Sequence, residues 1–380
     1  LEVLNCGGIT KLSSINVEGC TKLKKITCLS STGLSLNLTD CRDIEELYVS
    51  HVNSLNVNHC PLLKILDCSY SQLNNLDLTN NPALTDLRLR YNSTFESIAF
   101  ADNSQLMNIE INECYFPSNF NLDFSNSKTL KSIAIVGRKS GNITDVNLSG
   151  CTSLENAAIG DMGMKSLKIT GCVSLSTLSC VSNQLSELDF EGCSNLVLLH
   201  CAQNRLTELD VSECSKLTEL YCYNNSLTLL KTNAENLSII NCSINDLTEI
   251  NVSNHSRLKE LNCVQTKITS LDLSGCFSLE NILCNNNNLS GSLNIKDCKS
   301  LKKLTCQNCL LTSLDVSSCV GLISLDCSRN NLQPSLDISK NTVLSSLDCR
   351  YNNLKELIVK RNSSIQTLQK DSETQIVLVD

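Results

Sequence analysis

Leu196, Leu199 and Cys201 recur 21 residues later as Leu217, Leu220 and Cys222. A short fixed period leaves a chain few choices, because a unit of that length cannot build a core alone and buries its apolar side by stacking on its neighbours. The same step runs from Cys6, Cys28 and Cys68 through Cys180, Cys201, Cys222, Cys242, Cys263, Cys284, Cys306 and Cys327 to Cys349. Val49, Leu89, Ile111, Ile135 and Ile159 take the place of Cys in five coils, and Lys370 marks a degenerate last one. A chain of 380 residues would normally suggest two or three domains. The repeat instead predicts a single domain over 1–380, of about 18 coils.

Each coil has two similar halves, L-x-x-L-x-C-x-x-N-x-L and L-x-x-L-D-V-x-x-C-x-x-L. The apolar-x-apolar step in each half predicts a short strand. Seven residues lie between Cys201 and Leu209 and eight between Val211 and Leu220, so neither arc has room for a helix.

Three residues past the first landmark stands Asn92, Asn183, Asn204, Asn225, Asn245, Asn287, Asn330 or Asn352, with Cys114 and Cys309 substituting in two coils. The chain turns there, and backbone groups that leave a strand ladder still need partners. An inward-pointing amide carries both donors and an acceptor for its own coil and the next. The second half repeats the device with mixed residues, from Cys20 through Asn81, Cys172 and Cys276 to Asn341 and Asn362.

The first motif resembles the highly conserved segment of leucine-rich repeats. Its continuation is similar to the nested 21-residue bacterial class, sometimes called IRREKO. The resemblance covers nearly the whole chain. It implies a right-handed leucine-rich-repeat solenoid, mostly β, with a parallel concave sheet, short convex strands and little or no helix. It also implies a recognition role, often in a bacterial surface or secreted protein. The pattern departs from the family between about Val49 and Met164, where Asn is lost from several coils and Pro117, Gly137, Gly141, Gly160 and Gly163 interrupt the arcs. Irregular coils are therefore expected at about 112–164, with loops at Tyr115–Phe120 and Gly137–Asn142.

The net charge of −8 disfavours a nucleic-acid groove, which needs clustered cations. No apolar run is long enough to span a bilayer as a helix. Leu1 already lies in phase with the repeat, so a leader, an anchor or a cap is expected outside this sequence. The 24 cysteines follow the coil landmarks rather than a loop-stapling pattern, and are expected to be free buried thiols. Cys306-Gln-Asn-Cys309 is one C-x-x-C with no second pair, so no metal is expected. The four histidines, His51, His59, His200 and His255, show no motif spacing with a nucleophile or carboxylate, so spacing proposes no catalytic constellation, no cofactor and no enzyme. Asp or Asn recurs in the second strand, as at Asn16, Asn37, Asn56, Asp77, Asp123, Asn147, Asp189, Asp210, Asn251, Asp272, Asn294, Asp315 and Asp337. Stacked carboxylates there offer calcium ligands, but a solvated face is the favoured reading. Sequons such as those at Asn92 and Asn142 arise readily in an Asn- and Ser-rich repeat.

The informative departure from the repeat is aromatic. Tyr48, Tyr70, Tyr91, Tyr221, Tyr223 and Tyr351, six of seven tyrosines, fall on the outward side of the first strand in this reading. One cluster joins Tyr48, His51, Asp67, Tyr70, Asp86, Arg88, Arg90, Tyr91 and Glu110. The other joins His200, Gln203, Tyr221, Tyr223, Asn224, Asn241 and Asn262. Tyr and Arg are habitual interface anchors. The expected function is protein recognition through the concave sheet of an extracellular or cell-surface protein. A glycan partner is one alternative, and a targeting part of a larger enzyme or effector is another.

Overall fold

The computed structural model describes residues 1–9, 11–29, 33–92, 95–100, 105–117, 119–137, 143–232 and 235–380. The chain divides into two compact units, Leu1–Ser194 and Asn195–Asp380. Each is a parallel β-solenoid, and no helix occurs among the described residues.

In the N-terminal unit the first-half strands form one parallel sheet with matching register. It runs from Val3–Asn5 through Lys25–Cys28, Glu46–Val49, Ile65–Asp67, Asp86–Arg88, Asn108–Glu110 and Ser132–Val136 to Asn156–Gly160 and Thr177–Ser179. In the C-terminal unit the equivalent sheet runs from Leu198–His200 through Glu219–Tyr221, Ile239–Asn241, Glu260–Asn262, Asn281–Leu283, Lys303–Thr305 and Ser324–Asp326 to Ser346–Asp348 and Thr367–Gln369. Second-half strands make short two- or three-stranded sheets, such as Glu208–Asp210 with Leu229–Lys231.

Strands of three residues follow from the sequence. One inward Leu or Ile sits between two outward residues, and the landmark next in line turns the chain. From Cys28 to Cys327 every landmark is at most 1% exposed, whether Cys, Val, Leu or Ile. Burial of an apolar side chain contributes roughly 1.5–3 kcal/mol, so the thin core gains stability coil by coil. The coils expected to be irregular hold one of the two longest strand pairings among the described residues, the other being Glu356–Lys360 with Gln375–Val379. Ser132–Val136 matches Asn156–Gly160 over five residues, because β-branched residues and Gly replace the turn-forming sequence there. The loop expected at Gly137–Asn142 lies outside the described residues after Gly137. Of the loop expected at Tyr115–Phe120 only Ser118 lies outside them, and Phe120 already begins a strand.

The buried turn after each first strand is closed from inside. Asn225 Nδ2 donates to the carbonyls of Cys201 (3.1 Å) and Cys222 (3.0 Å), while its Oδ1 accepts from the Leu206 N–H (3.1 Å). Asn183, Asn245, Asn287, Asn330 and Asn352 do the same between their own coil and the one before. Asn204 donates to Cys201 within its own coil. Asn92 donates to Cys68, but its Oδ1 is buried without a partner. Where Cys stands instead, the thiol donates: Cys309 Sγ to the Cys284 carbonyl (3.0 Å), and Cys114 to that of Leu89.

The second column differs. Asn81 and Asn341 each donate to two carbonyls, yet both Oδ1 atoms are buried orphans. Cys172, Cys276 and Cys319 donate one thiol proton to the earlier coil, at 3.1, 3.0 and 3.7 Å, and have no side-chain oxygen to strand. An unsatisfied buried acceptor costs about 1–3 kcal/mol, which is why this column favours Cys. Asn362, expected in it, is instead exposed at φ +66°.

All 24 cysteines are free thiols and 22 are buried. Burial pushes Cys60, Cys114, Cys172, Cys201, Cys242, Cys298 and Cys349 up to about 12.

Two outcomes are expected. Asn330→Cys, which gives up two satisfied N–H groups, lowers unfolding free energy by about 1–3 kcal/mol. Asn341→Cys, which also removes an orphan oxygen, costs distinctly less; equal losses in chemical denaturation would contradict this. The second concerns pH. The folded thiols keep protons that the unfolded chain releases near pH 8.5, so stability is full below that pH. It then falls by about 1.4 kcal/mol per pH unit per thiol as pH rises toward the folded value. Under reductant, the melting temperature drops steeply between about pH 9 and 11; a flat profile would contradict buried thiols.

Candidate functional site

The residue two places past nearly every first-strand landmark from Val49 to Cys349 adopts a left-handed backbone although it is almost never Gly. His51, Tyr70 and Tyr91 in the N-terminal unit have φ of 55–57°, and Gln203, Asn224, Gln265, Arg329 and Tyr351 in the C-terminal unit have φ of 55–58°. Such a conformation costs an L residue roughly 1–2 kcal/mol, and here it turns the following side chain inward. The consequence is a rim of projecting side chains beside each large sheet. Tyr70, Tyr91, Tyr223 and Tyr351 therefore lie past the strands, not on them, since the strands end at Asp67, Arg88, Tyr221 and Asp348. Only Tyr48 and Tyr221 are strand residues.

In the N-terminal unit the outward residues Tyr48, Asp67, Arg88 and Glu110 pair in register as one column. The charges in and beside it are met locally. Arg90 lies 3.7 Å from Asp67 and 3.6 Å from Glu110, and Arg88 lies 3.8 Å from Asp86. Lys25 sits 2.6 Å from Glu46 and 5.0 Å from the Tyr48 ring centroid. The hydrogen bond from Lys25 holds the Glu46 carboxyl below its ordinary range. Beside the column, Tyr70 and Tyr91 stack with centroids 4.8 Å apart and rings 15° from parallel, and both are exposed.

In the C-terminal unit His200, Tyr221, Asn241, Asn262, Leu283 and Thr305 form the equivalent column. The His200 ring lies 5.5 Å from Tyr221 and 5.8 Å from Tyr223. Burial lowers the His200 pKa, so the imidazole is uncharged at neutral pH, and its Nε2 is buried with no protein partner. Burial first, and then the hydrogen bond to Glu219 at 3.0 Å, raises the Tyr221 hydroxyl. The two columns thus differ in character: alternating charge in one unit, aromatic and amide groups in the other.

A third group escaped the sequence reading. Arg329 lies 4.6 Å and Arg350 5.8 Å from the Tyr351 ring centroid, and Arg350 also pairs with Asp348 at 2.8 Å. The signal was present: Arg350-Tyr351-Asn352 repeats Arg90-Tyr91-Asn92 at the same coil position.

The Asp and Asn residues of the second strand have a local task. In every one of the thirteen positions named above, Oδ1 accepts the N–H of the residue two places on, at 2.8–3.3 Å. This is an Asx turn, and it replaces the expectation of a merely solvated face. Hydrogen bonds from that residue hold Asp77, Asp123, Asp210, Asp272 and Asp315 below the ordinary carboxylate range. Cys306 and Cys309 are ordinary members of the buried columns. Among the described residues, no three His, Cys, Asp or Glu side chains are grouped to hold a metal ion, and no helix is long and apolar enough to cross a membrane.

No protein-family model matches the chain, and no curated protein sequence matches it. Solved structures do. The functional domain of InlJ from Listeria monocytogenes, which includes a cysteine ladder, is 24% identical with a TM-score of 0.62, over 95% of this chain and 74% of that one. YopM from Yersinia enterocolitica is 19% identical with a TM-score of 0.56, over 100% and 91%. The Arabidopsis receptor kinase HAESA, solved with the peptide hormone IDA and a co-receptor, is 18% identical with a TM-score of 0.55, over 94% and 67%.

Proposed function

We propose that this chain, a leucine-rich-repeat protein by fold, is a non-catalytic recognition module that binds a protein partner through the large sheet and its rim. It is read as part of a bacterial surface or secreted protein. The observation that carries the reading is the His200–Tyr221–Tyr223 ring cluster on the outward side of the C-terminal sheet. The outward positions of the second-half strands hold no tyrosine, so strand propensity alone does not account for the placement. Aromatic side chains bring large contact area at small entropic cost, which suits an interface anchor. The stacked Tyr70 and Tyr91 make a second anchor in the N-terminal unit. The bacterial assignment is supported by the likeness in fold to the Listeria and Yersinia proteins. A peptide ligand on the same fold has precedent in the HAESA complex.

The test is capture by immobilised full chain from solubilised envelope and host-cell proteins, quantified by mass spectrometry. Tyr221→Ser combined with Tyr223→Ser lowers capture of at least one saturable partner by about 10–100-fold, with the melting temperature unchanged. Capture that is indifferent to both substitutions contradicts the reading. Tyrosine-dependent hits on a glycan array alone would transfer the site to sugars.

A further inference from the structure

We propose that Glu219, Tyr221 and Glu260 form a binding site for a lysine side chain from a basic segment of the protein partner. This rests on the protein-recognition reading and names the chemistry that the partner brings.

The chain contains the same constellation with a cation in place. Glu46-Leu47-Tyr48 in the N-terminal unit and Glu219-Leu220-Tyr221 in the C-terminal unit share a sequence and a strand position. They also share a hydrogen bond: Tyr48 donates its hydroxyl to Glu46 at 3.1 Å, and Tyr221 donates to Glu219 at 3.0 Å. Lys25 pairs in register with Glu46 from the coil before. Its ammonium lies 2.6 Å from that carboxylate and 5.0 Å from the Tyr48 ring centroid. The residue that pairs with Glu219 in the same way is Leu198. An ammonium between a carboxylate and an aromatic face gains from both, and at this strand position the C-terminal unit offers a leucine instead.

The charge balance agrees. In the first-half strands of the N-terminal unit, Glu46, Asp67, Asp86 and Glu110 each have a cation 2.6–3.8 Å away. Among the described residues, neither Glu219 nor Glu260 has a cation within ion-pair distance. The two stand in one column with Ile239 between them, about 9.6 Å apart along the stack. On the strands and rim of the five coils from Leu198 to Asn286, they are the only Asp, Glu, Lys or Arg residues. His200 is held uncharged by burial, and Lys259, beside Glu260 in sequence, lends its charge to Glu280. The Tyr221 hydroxyl is raised by burial, by its bond to Glu219, and by the charges of both carboxylates, so both fields converge on its ring. The Asn241 and Asn262 amides in the neighbouring column can meet either side of a peptide backbone and do not choose the ligand. The two unmatched carboxylates do, because a site of one sign selects the opposite charge.

The experiment is fluorescence anisotropy of a labelled Gly-Lys-Gly-Lys-Gly peptide titrated with the full chain, beside the same peptide with both lysines acetylated. Saturable binding of the lysine peptide is expected. Glu219→Gln with Glu260→Gln weakens it at least about tenfold, with an unchanged melting temperature. Leu198→Lys, which places the chain's own ammonium against Glu219, weakens it to a similar degree. Glu208→Gln with Glu249→Gln removes the same charge from exposed second-half positions and leaves binding unchanged. If the Glu219→Gln, Glu260→Gln variant melts early, Leu198→Lys alone makes the comparison. The proposal is overturned by no saturation up to about 1 mM, by equal binding of the acetylated peptide, or by full binding to either site variant. An equal loss in Glu208→Gln with Glu249→Gln also overturns it, since that would mark general charge attraction. Failure here alongside tyrosine-dependent capture of a protein removes only the lysine chemistry; failure of both removes the recognition reading.

Discussion

A buried chain that turns every ten residues or so must find hydrogen-bond partners for backbone groups that no strand ladder reaches. In this protein the side chain just past the turn supplies them. Asn225, Asn245, Asn287, Asn330 and Asn352 each tie the carbonyl of their own landmark to that of the coil before, and accept an N–H in return. The rest of each unit depends on that exchange. It fixes the vertical register of the sheet, forces the preceding residue into a left-handed conformation, and so sets out the rim that carries the exposed tyrosines.

The choice between amide and thiol follows from what surrounds the acceptor. In the first column the oxygens of Asn183, Asn225, Asn245, Asn287, Asn330 and Asn352 meet an N–H from the previous coil, and these amides are fully used, Asn92 being the exception. In the second column Asn81 and Asn341 meet no donor, and a thiol that gives one proton serves with less loss. The abundance of cysteine is then a consequence of geometry rather than of redox chemistry. Raised thiol pKa values are the electrostatic face of the same burial, and they make the stack sensitive to base.

Much of the fold could be read directly from the sequence because the period is short and in phase. The inward positions, the absence of helix and the Asn column all follow from counting. Other features resisted for physical reasons. The left-handed rim was hidden because Gly, its usual marker, is replaced by residues such as Tyr91, Gln203, Arg329 and Tyr351, whose strain is offset by the inward hydrogen bonds of Asn92, Asn204, Asn330 and Asn352 next door. The tyrosines were placed on strands because a strand of three residues is shorter than periodicity can resolve. The recurring Asp and Asn of the second strand looked like a surface decoration. Their Asx bonds depend on a turn that composition does not reveal. Of the candidate site, the two clusters were legible as residue types, whereas the register that separates a charged column from a neutral one needed coordinates.

The inward amides make one demand that can be measured amide by amide. The N–H groups of Leu206, Leu227, Ile268, Leu311 and Leu332 donate to Asn oxygens rather than to backbone carbonyls. Hydrogen–deuterium exchange resolved at these residues should show protection equal to that of the neighbouring strand amides, reporting the same cooperative opening. Exchange at the rate of exposed loops would mean that the interior amides do not hold the coils together, and the account would fail at its base.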